Sequence, residues 1–170
     1  MGQTKGPEYG KLIFYPALIT LGITLLRLGG EWMGLPAWLA NRKAGGVGAL
    51  IGISWLPPIL GVYFAYKLAS VPRKRWMCLL KTIFLYGLAA RIPVILIMGL
   101  AIHGNWGTHY DAFPSGPLAG ASRMAAFLYG GVAIQLIWWV LIWTVGSGML
   151  TGSIALAIRS PQRKKPAALE

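Results

Sequence analysis

Four long apolar runs follow one another along this chain, parted by Gly, Pro and basic clusters, which is the hydropathy pattern of helices that cross a bilayer. The first predicts a helix over about 11–28, ended by Gly29 and Gly30. The others predict helices over about 46–68, 76–102 and 125–158, each long enough for a hydrocarbon core of roughly 30 Å. The fourth exceeds what the core needs at about 1.5 Å per residue, so it is expected to tilt or to run on beyond the membrane before Arg159.

Between the first two runs, Glu31 to Lys43 carries Trp32, Leu35, Trp38 and Leu39 beside Arg42 and Lys43. This reads as a short interfacial segment, because Trp rings favour the headgroup level and Pro36 suits the opening of a short helix. No internal repeat is visible. The expectation is therefore all-α: one transmembrane domain over 1–170, an integral membrane four-helix bundle with a short interfacial segment after the first helix.

Composition supports this class. Only 12% of the residues are charged, about half of the roughly 25% usual in soluble domains. The net charge of +12 would point to nucleic acid in a soluble protein. Here the cations stand at helix ends, where the positive-inside rule and anionic headgroups account for them, and no nucleic-acid motif accompanies them.

Lys5, Lys11, Lys67, Arg73, Lys74, Arg75, Lys81, Arg159, Arg163, Lys164 and Lys165 fall on one side of such a bundle. Arg42, Lys43 and Arg123 fall on the other. That imbalance places both termini and the loop between the second and third helices in the cytoplasm, in the inner or plasma membrane if the cell is bacterial. The first run lacks a small-x-small cleavage site and reads as a retained helix, and Gly6 stands where a myristoylation signal needs Ser or Thr.

Arg91 is the residue that composition cannot explain. It lies roughly 17 Å from the ends of the third run, beyond the reach of a snorkelling side chain. At that depth a charge costs about 2.5 to 3.5 kcal/mol on insertion scales. No Asp or Glu occurs in the second, third or fourth run.

Gln135, Ser54 and the kink-forming Pro57, Pro58 and Pro93 fall at similar depth. Prolines there free the carbonyls of Ile53, Ser54 and Ala89 as acceptors. Two readings follow. In the structural one, Arg91 ties kinked helices together through carbonyls, Gln135, Ser54 and Thr20 or Thr24. In the other, Arg91, Gln135 and Ser54 form a ligand site completed by a lipid headgroup, carboxylate or phosphate.

Other candidates are weaker. Arg27 and Glu31, four apart, read as an ordinary local ion pair. His103, His109 and Asp111 share an outer, Gly-rich loop too pliable for a metal site, although it could serve acid and base chemistry on lipid or quinone. Cys78 is the sole cysteine, so no intrachain disulfide forms.

Gly48 with Gly52, and Gly148 with Gly152, allow close helix approach within the bundle or between copies. Trp138, Trp139 and Trp143 read as lipid-facing or packing surface. The expectation is a non-enzymatic accessory or scaffold protein without cofactor or metal. Its partners are membrane lipids and, possible on this pattern, further copies or a larger complex, with no nucleic acid. An anion- or lipid-binding carrier ranks second and an outer-face enzyme third.

Overall fold

The computed structural model describes residues 8–36, 54–69, 75–111 and 120–159, and its elements are helices throughout, with no strand among the described residues. Helix α1 spans Tyr9–Trp32, α2 Leu56–Leu68, α3 Arg75–Gly104 and α4 Arg123–Ile158. Three of these, α1, α3 and α4, are long and apolar enough to cross a membrane. Helix α2 has 13 residues, about 20 Å at the usual rise, which covers only part of a hydrocarbon core.

Helix α1 continues through Gly29 and Gly30, where the sequence predicted its end. Glycine alone does not stop a helix in apolar surroundings, because the backbone groups it would release have no water to take them. The stop comes at Gly34, whose φ is +73°. Gly34 N donates to Glu31 O at 3.1 Å and Leu35 N to Gly30 O at 2.9 Å, the pair of bonds that closes a helix around a left-handed residue. The extension brings Glu31 and Trp32 into the helix.

Pro57 and Pro58 were expected to kink a long second helix. They occupy the first turn of α2 instead, where a missing N–H costs nothing because no acceptor precedes it within the helix. The upstream part of that predicted helix, the interfacial residues Trp38 to Lys43, and Gly48 and Gly52 lie outside the described residues. Pro93 does lie inside α3, as expected.

Helix α4 is not wound uniformly. Ser122 caps it by accepting from Ala125 N at 3.2 Å, and after one α turn residues Phe127–Val145 run as a π-helix before α winding resumes at Gly146. Its buried positions Gly131, Gln135, Val140, Thr144, Gly148, Gly152 and Leu156 follow the wider spacing of the π stretch before returning to that of an ordinary helix. A π turn takes up more residues than an α turn. Part of the excess length predicted to tilt or to leave the membrane is absorbed in this way.

Contacts along the helices fix their directions. Helices α1 and α3 run parallel: Lys81 lies over the Tyr9 ring at 4.6 Å, Thr20 meets Tyr86 at 2.8 Å and Trp32 meets Trp106 at 5.3 Å. Helix α4 opposes them, with Leu79 beside Gly152, Ile83 beside Gly148 and Gly99 beside Phe127. Helix α2 follows the last turns of α4, from Pro58 O, which accepts from Thr151 Oγ1 at 2.7 Å, to Tyr66, whose ring sits under Arg159 at 3.8 Å.

Lys81, Lys67 and Arg159 thus gather at one end, while Glu31, His109 and Arg123 lie at the other. Phe64, Leu68, Leu79, Ile83, Tyr86 and Leu156 form the main core. Gly148 and Gly152 face α2 and α3 inside the bundle, so this small-residue pair serves internal packing.

Candidate functional site

The buried stripe of α3 carries Tyr86, Ala90, Arg91 and Val94 toward α1 and α4. Arg91 is 4% exposed. Its Nη1 donates to Gln135 Oε1 at 3.3 Å, and its guanidinium lies 4.4 Å over the Trp139 ring. Gln135 Nε2 in turn points to Met98 Sδ at 3.3 Å, which holds the amide with its oxygen toward the arginine. Among the described residues, the bond to Gln135 is the one hydrogen bond that the five N–H donors of Arg91 make.

Ser54 does not join this group. Its carbonyl, which Pro58 leaves without a helical donor, accepts from Trp143 Nε1 at 2.7 Å. The freed Ser54 carbonyl and the Pro58 carbonyl serve α2–α4 pairing, with Trp143 on one and Thr151 on the other, rather than the buried charge. Trp143 therefore packs between helices, Trp139 lies under Arg91, and Trp138 is exposed on the outer surface of α4.

Near Arg91, Tyr86 Oη and Thr20 Oγ1 share a hydrogen bond of 2.8 Å, while Thr20 donates to Pro16 O at 3.0 Å. Because Thr20 retains a backbone partner, Tyr86→Phe is expected to cost about 1 kcal/mol. Thermal unfolding of the purified variant beside wild type measures this, and an unchanged midpoint would show that the bond adds nothing.

The end of α1 meets the loop that follows α3. Asp111 shapes that loop by accepting from Gly107 N at 2.8 Å, Thr108 N at 2.7 Å and Thr108 Oγ1 at 3.0 Å. The turn presents His109 to Glu31: His109 N donates to Glu31 Oε2 at 2.7 Å, and His109 Nδ1 meets Glu31 Oε1. Arg27 Nε lies 3.9 Å from the same carboxylate.

Glu31 is 3% exposed, so the local ion pair expected with Arg27 is part of a buried cluster whose closest partner comes from a distant part of the sequence. Tyr110 fills the space beneath, packed with Leu28, Val94 and Ala101 and donating to Thr24 O at 3.4 Å.

Burial holds the His109 imidazole below its ordinary pKa, with Arg27 adding to that effect and Glu31 opposing it. The ring is therefore neutral at pH 7. Burial pushes the Tyr110 phenol up to about 12, so it too stays neutral. Arg27, Tyr86 and Tyr110 all lie within electrostatic range of Arg91. Among the described residues the interior between α1 and α3 therefore holds two guanidiniums, Arg27 and Arg91, against the single carboxylate of Glu31.

His103, His109 and Asp111 do not converge on one point. His103 is exposed and its carbonyl accepts from Arg123 Nη1 at 3.2 Å, Asp111 is engaged by its own loop, and His109 turns to Glu31. Among the described residues no three His, Cys, Asp or Glu side chains gather as a metal site.

No protein-family signature, no curated protein and no solved structure matches this chain. Its chemistry is read from these side chains alone. Glu31 and Trp139 belong to the site although the sequence reads them only as a local ion pair with Arg27 and as packing surface, not as partners of His109 and Arg91. The signal available for Glu31 was scarcity: the chain has 4 acidic residues, and this one follows an apolar run directly.

Proposed function

We propose that this chain is an integral membrane protein that crosses the bilayer four times, with both termini cytoplasmic, and that it binds an anionic group at Arg91. The ligand chemistry is a phosphate, sulfate or carboxylate oxyanion, carried by a lipid headgroup or by a small free anion. The observation that carries this reading is the state of Arg91: 4% exposed, hydrogen-bonded among the described residues to one neutral amide, and with a second guanidinium in range.

A buried charge without a counter-ion is costly, and a neutral acceptor relieves only part of that cost. The guanidinium keeps further N–H donors in a planar fork suited to two oxygens of an oxyanion. The aromatic face of Trp139 supports the cation from one side. Orientation in the bilayer follows from the basic end formed by Lys67, Lys81 and Arg159.

A purely scaffolding role requires Arg91 to be fully bonded within the chain, which the single amide bond does not favour. An enzymatic role at the outer face requires His103, His109 and Asp111 to act together, and their separate partners speak against it. A carrier or lipid-binding protein fits the geometry better than either.

Native mass spectrometry tests the proposal. Wild type and Arg91→Gln are compared after gentle purification, after delipidation with added inorganic sulfate, and in nanodiscs with and without phosphatidylglycerol. Wild type is expected to retain an anion that the variant binds at least about tenfold more weakly, a loss of about 1.4 kcal/mol or more. Retention from phosphatidylglycerol alone assigns a headgroup, and retention of sulfate assigns a free anion. Equal binding by both proteins, or none by either, overturns the reading and returns Arg91 to a structural role.

A further inference from the structure

The clasp formed by Glu31 and His109 stands at the end of α1, next to Arg27, with Tyr110 between it and the stripe that carries Arg91. We propose that Glu31 and His109 form a proton-binding site that tunes the anion affinity of the Arg27 and Arg91 pair, so that binding an anion draws in a proton. This rests on the anion-binding reading above and adds the co-ligand of the same site.

The argument is one of charge. The groups that face His109 are Glu31 and Arg27 from α1, with Asp111 and Tyr110 from its own loop. Helix α3 contributes Arg91, which is in electrostatic range of Arg27 and Tyr110. Helix α4 contributes Arg123 at this end, and that side chain is turned to the His103 carbonyl. With His109 neutral, Glu31 offers its one negative charge to Arg27 at 3.9 Å.

A proton on His109 makes the imidazolium a direct competitor for that carboxylate. Arg27 is then less compensated, and the interior between α1 and α3 carries one more positive charge. An anion at Arg91 is bound more tightly in that state. By reciprocity, the bound anion raises the proton affinity of His109 by the same factor.

The sign follows from the empty site. Burial keeps His109 below its ordinary pKa of about 6.5, so the unliganded protein stays unprotonated at neutral pH. Affinity is low at high pH and rises as pH falls through the pKa that His109 has in the anion-bound protein. Asp111 is engaged by three donors of its own loop, which leaves Glu31 as the carboxylate that His109 shares with Arg27. The chain has 2 histidines, so two variants separate them.

Binding of inorganic sulfate, whose charge is constant across the range, is measured by isothermal titration calorimetry on the full chain in detergent at pH 7.5, 6.5 and 5.5. Wild-type affinity is expected to rise about fivefold or more on acidification. His103→Gln keeps that rise. His109→Gln, which can still donate to Glu31 but cannot titrate, removes it.

Repeating the titration in buffers of different ionisation enthalpy counts protons on wild type itself, which decides the matter should His109→Gln fail to fold. Uptake of a fraction of a proton per sulfate near pH 6 supports the proposal. Zero uptake, a pH dependence that survives in His109→Gln, or one that vanishes in His103→Gln overturns it. Sulfate binding that is present but flat with pH removes the proton coupling alone. If neither sulfate at any pH nor phosphatidylglycerol binds wild type, the anion-binding reading falls and this inference falls with it.

Discussion

Glu31→Ala is expected to cost about 3 kcal/mol or more. The carboxylate accepts from the His109 backbone at 2.7 Å, meets the His109 ring and neutralises Arg27. Removing it strips the His109 backbone N–H of its acceptor and takes the carboxylate from beside the His109 ring and a largely buried guanidinium. The unmade bonds cost more than the made ones contributed, because water does not reach a group only 3% exposed.

Thermal unfolding in detergent gives the loss. Hydrogen exchange of the His109 amide reports whether the loop has left α1. Glu31→Gln keeps the acceptor for the backbone and loses only the charge, so about half of the effect is expected. Equal midpoints for wild type and Glu31→Ala would mean that the clasp does not hold the loop, and the proposed proton site would then lack its framework.

Gly61→Ala comes second. A Cβ at Gly61 would overlap the Gly148 carbonyl and lie 2.5 Å from Thr151 Oγ1, and backbone cannot step aside as a side-chain end can. Overpacking of this kind costs about 1 to 3 kcal/mol, and here it also strains the Thr151 bond to Pro58 O. Helix α2 is expected to shift away from α4, lowering the unfolding midpoint and breaking the bond that Trp143 makes to Ser54 O just before α2.

Gly22→Ala is the control. No described atom lies within 4 Å of the Cβ it would add, so it is expected to be neutral or to gain up to about 1 kcal/mol from better helix propensity. Equal effects at the two positions would show that α2 is not held by close backbone approach.

The same comparison separates what a linear reading can see from what it cannot. Close approach at Gly148 and Gly152 was legible as a spacing that favours internal packing, but the partner was not, since the same pattern also fits a homo-oligomer. The partner that decides between them is Gly61, whose role depends on α2 lying along the end of α4.

Arg91 shows a similar division. Its depth and lack of acidic neighbours within the later runs could be read from the sequence, and so could Gln135 as a neighbour. Ser54 could not be placed, because prolines read as kinks turned out to open α2, and the carbonyl they free meets Trp143. A helix start and a helix kink present the same residues in a row.

By itself the sequence determined the class of the protein: apolar helices long enough to cross a membrane, their approximate limits, the basic end, and one charge buried in the third run. Those properties are sums over neighbouring residues, and hydropathy and helix length need no tertiary information. The tertiary structure decided the rest.

Glu31 and His109 are 78 residues apart, and Arg91 and Gln135 are 44 apart. Whether such groups meet depends on where α1 ends and how α4 is wound. Helix α1 runs on to the left-handed glycine at position 34, far enough to bury Glu31. A stretch of π winding alters the spacing of the buried positions along α4, and Gln135 and Trp139 fall within it, both against Arg91. These choices are made by the packing of whole helices against one another, where a bond lost locally is regained from a distant segment.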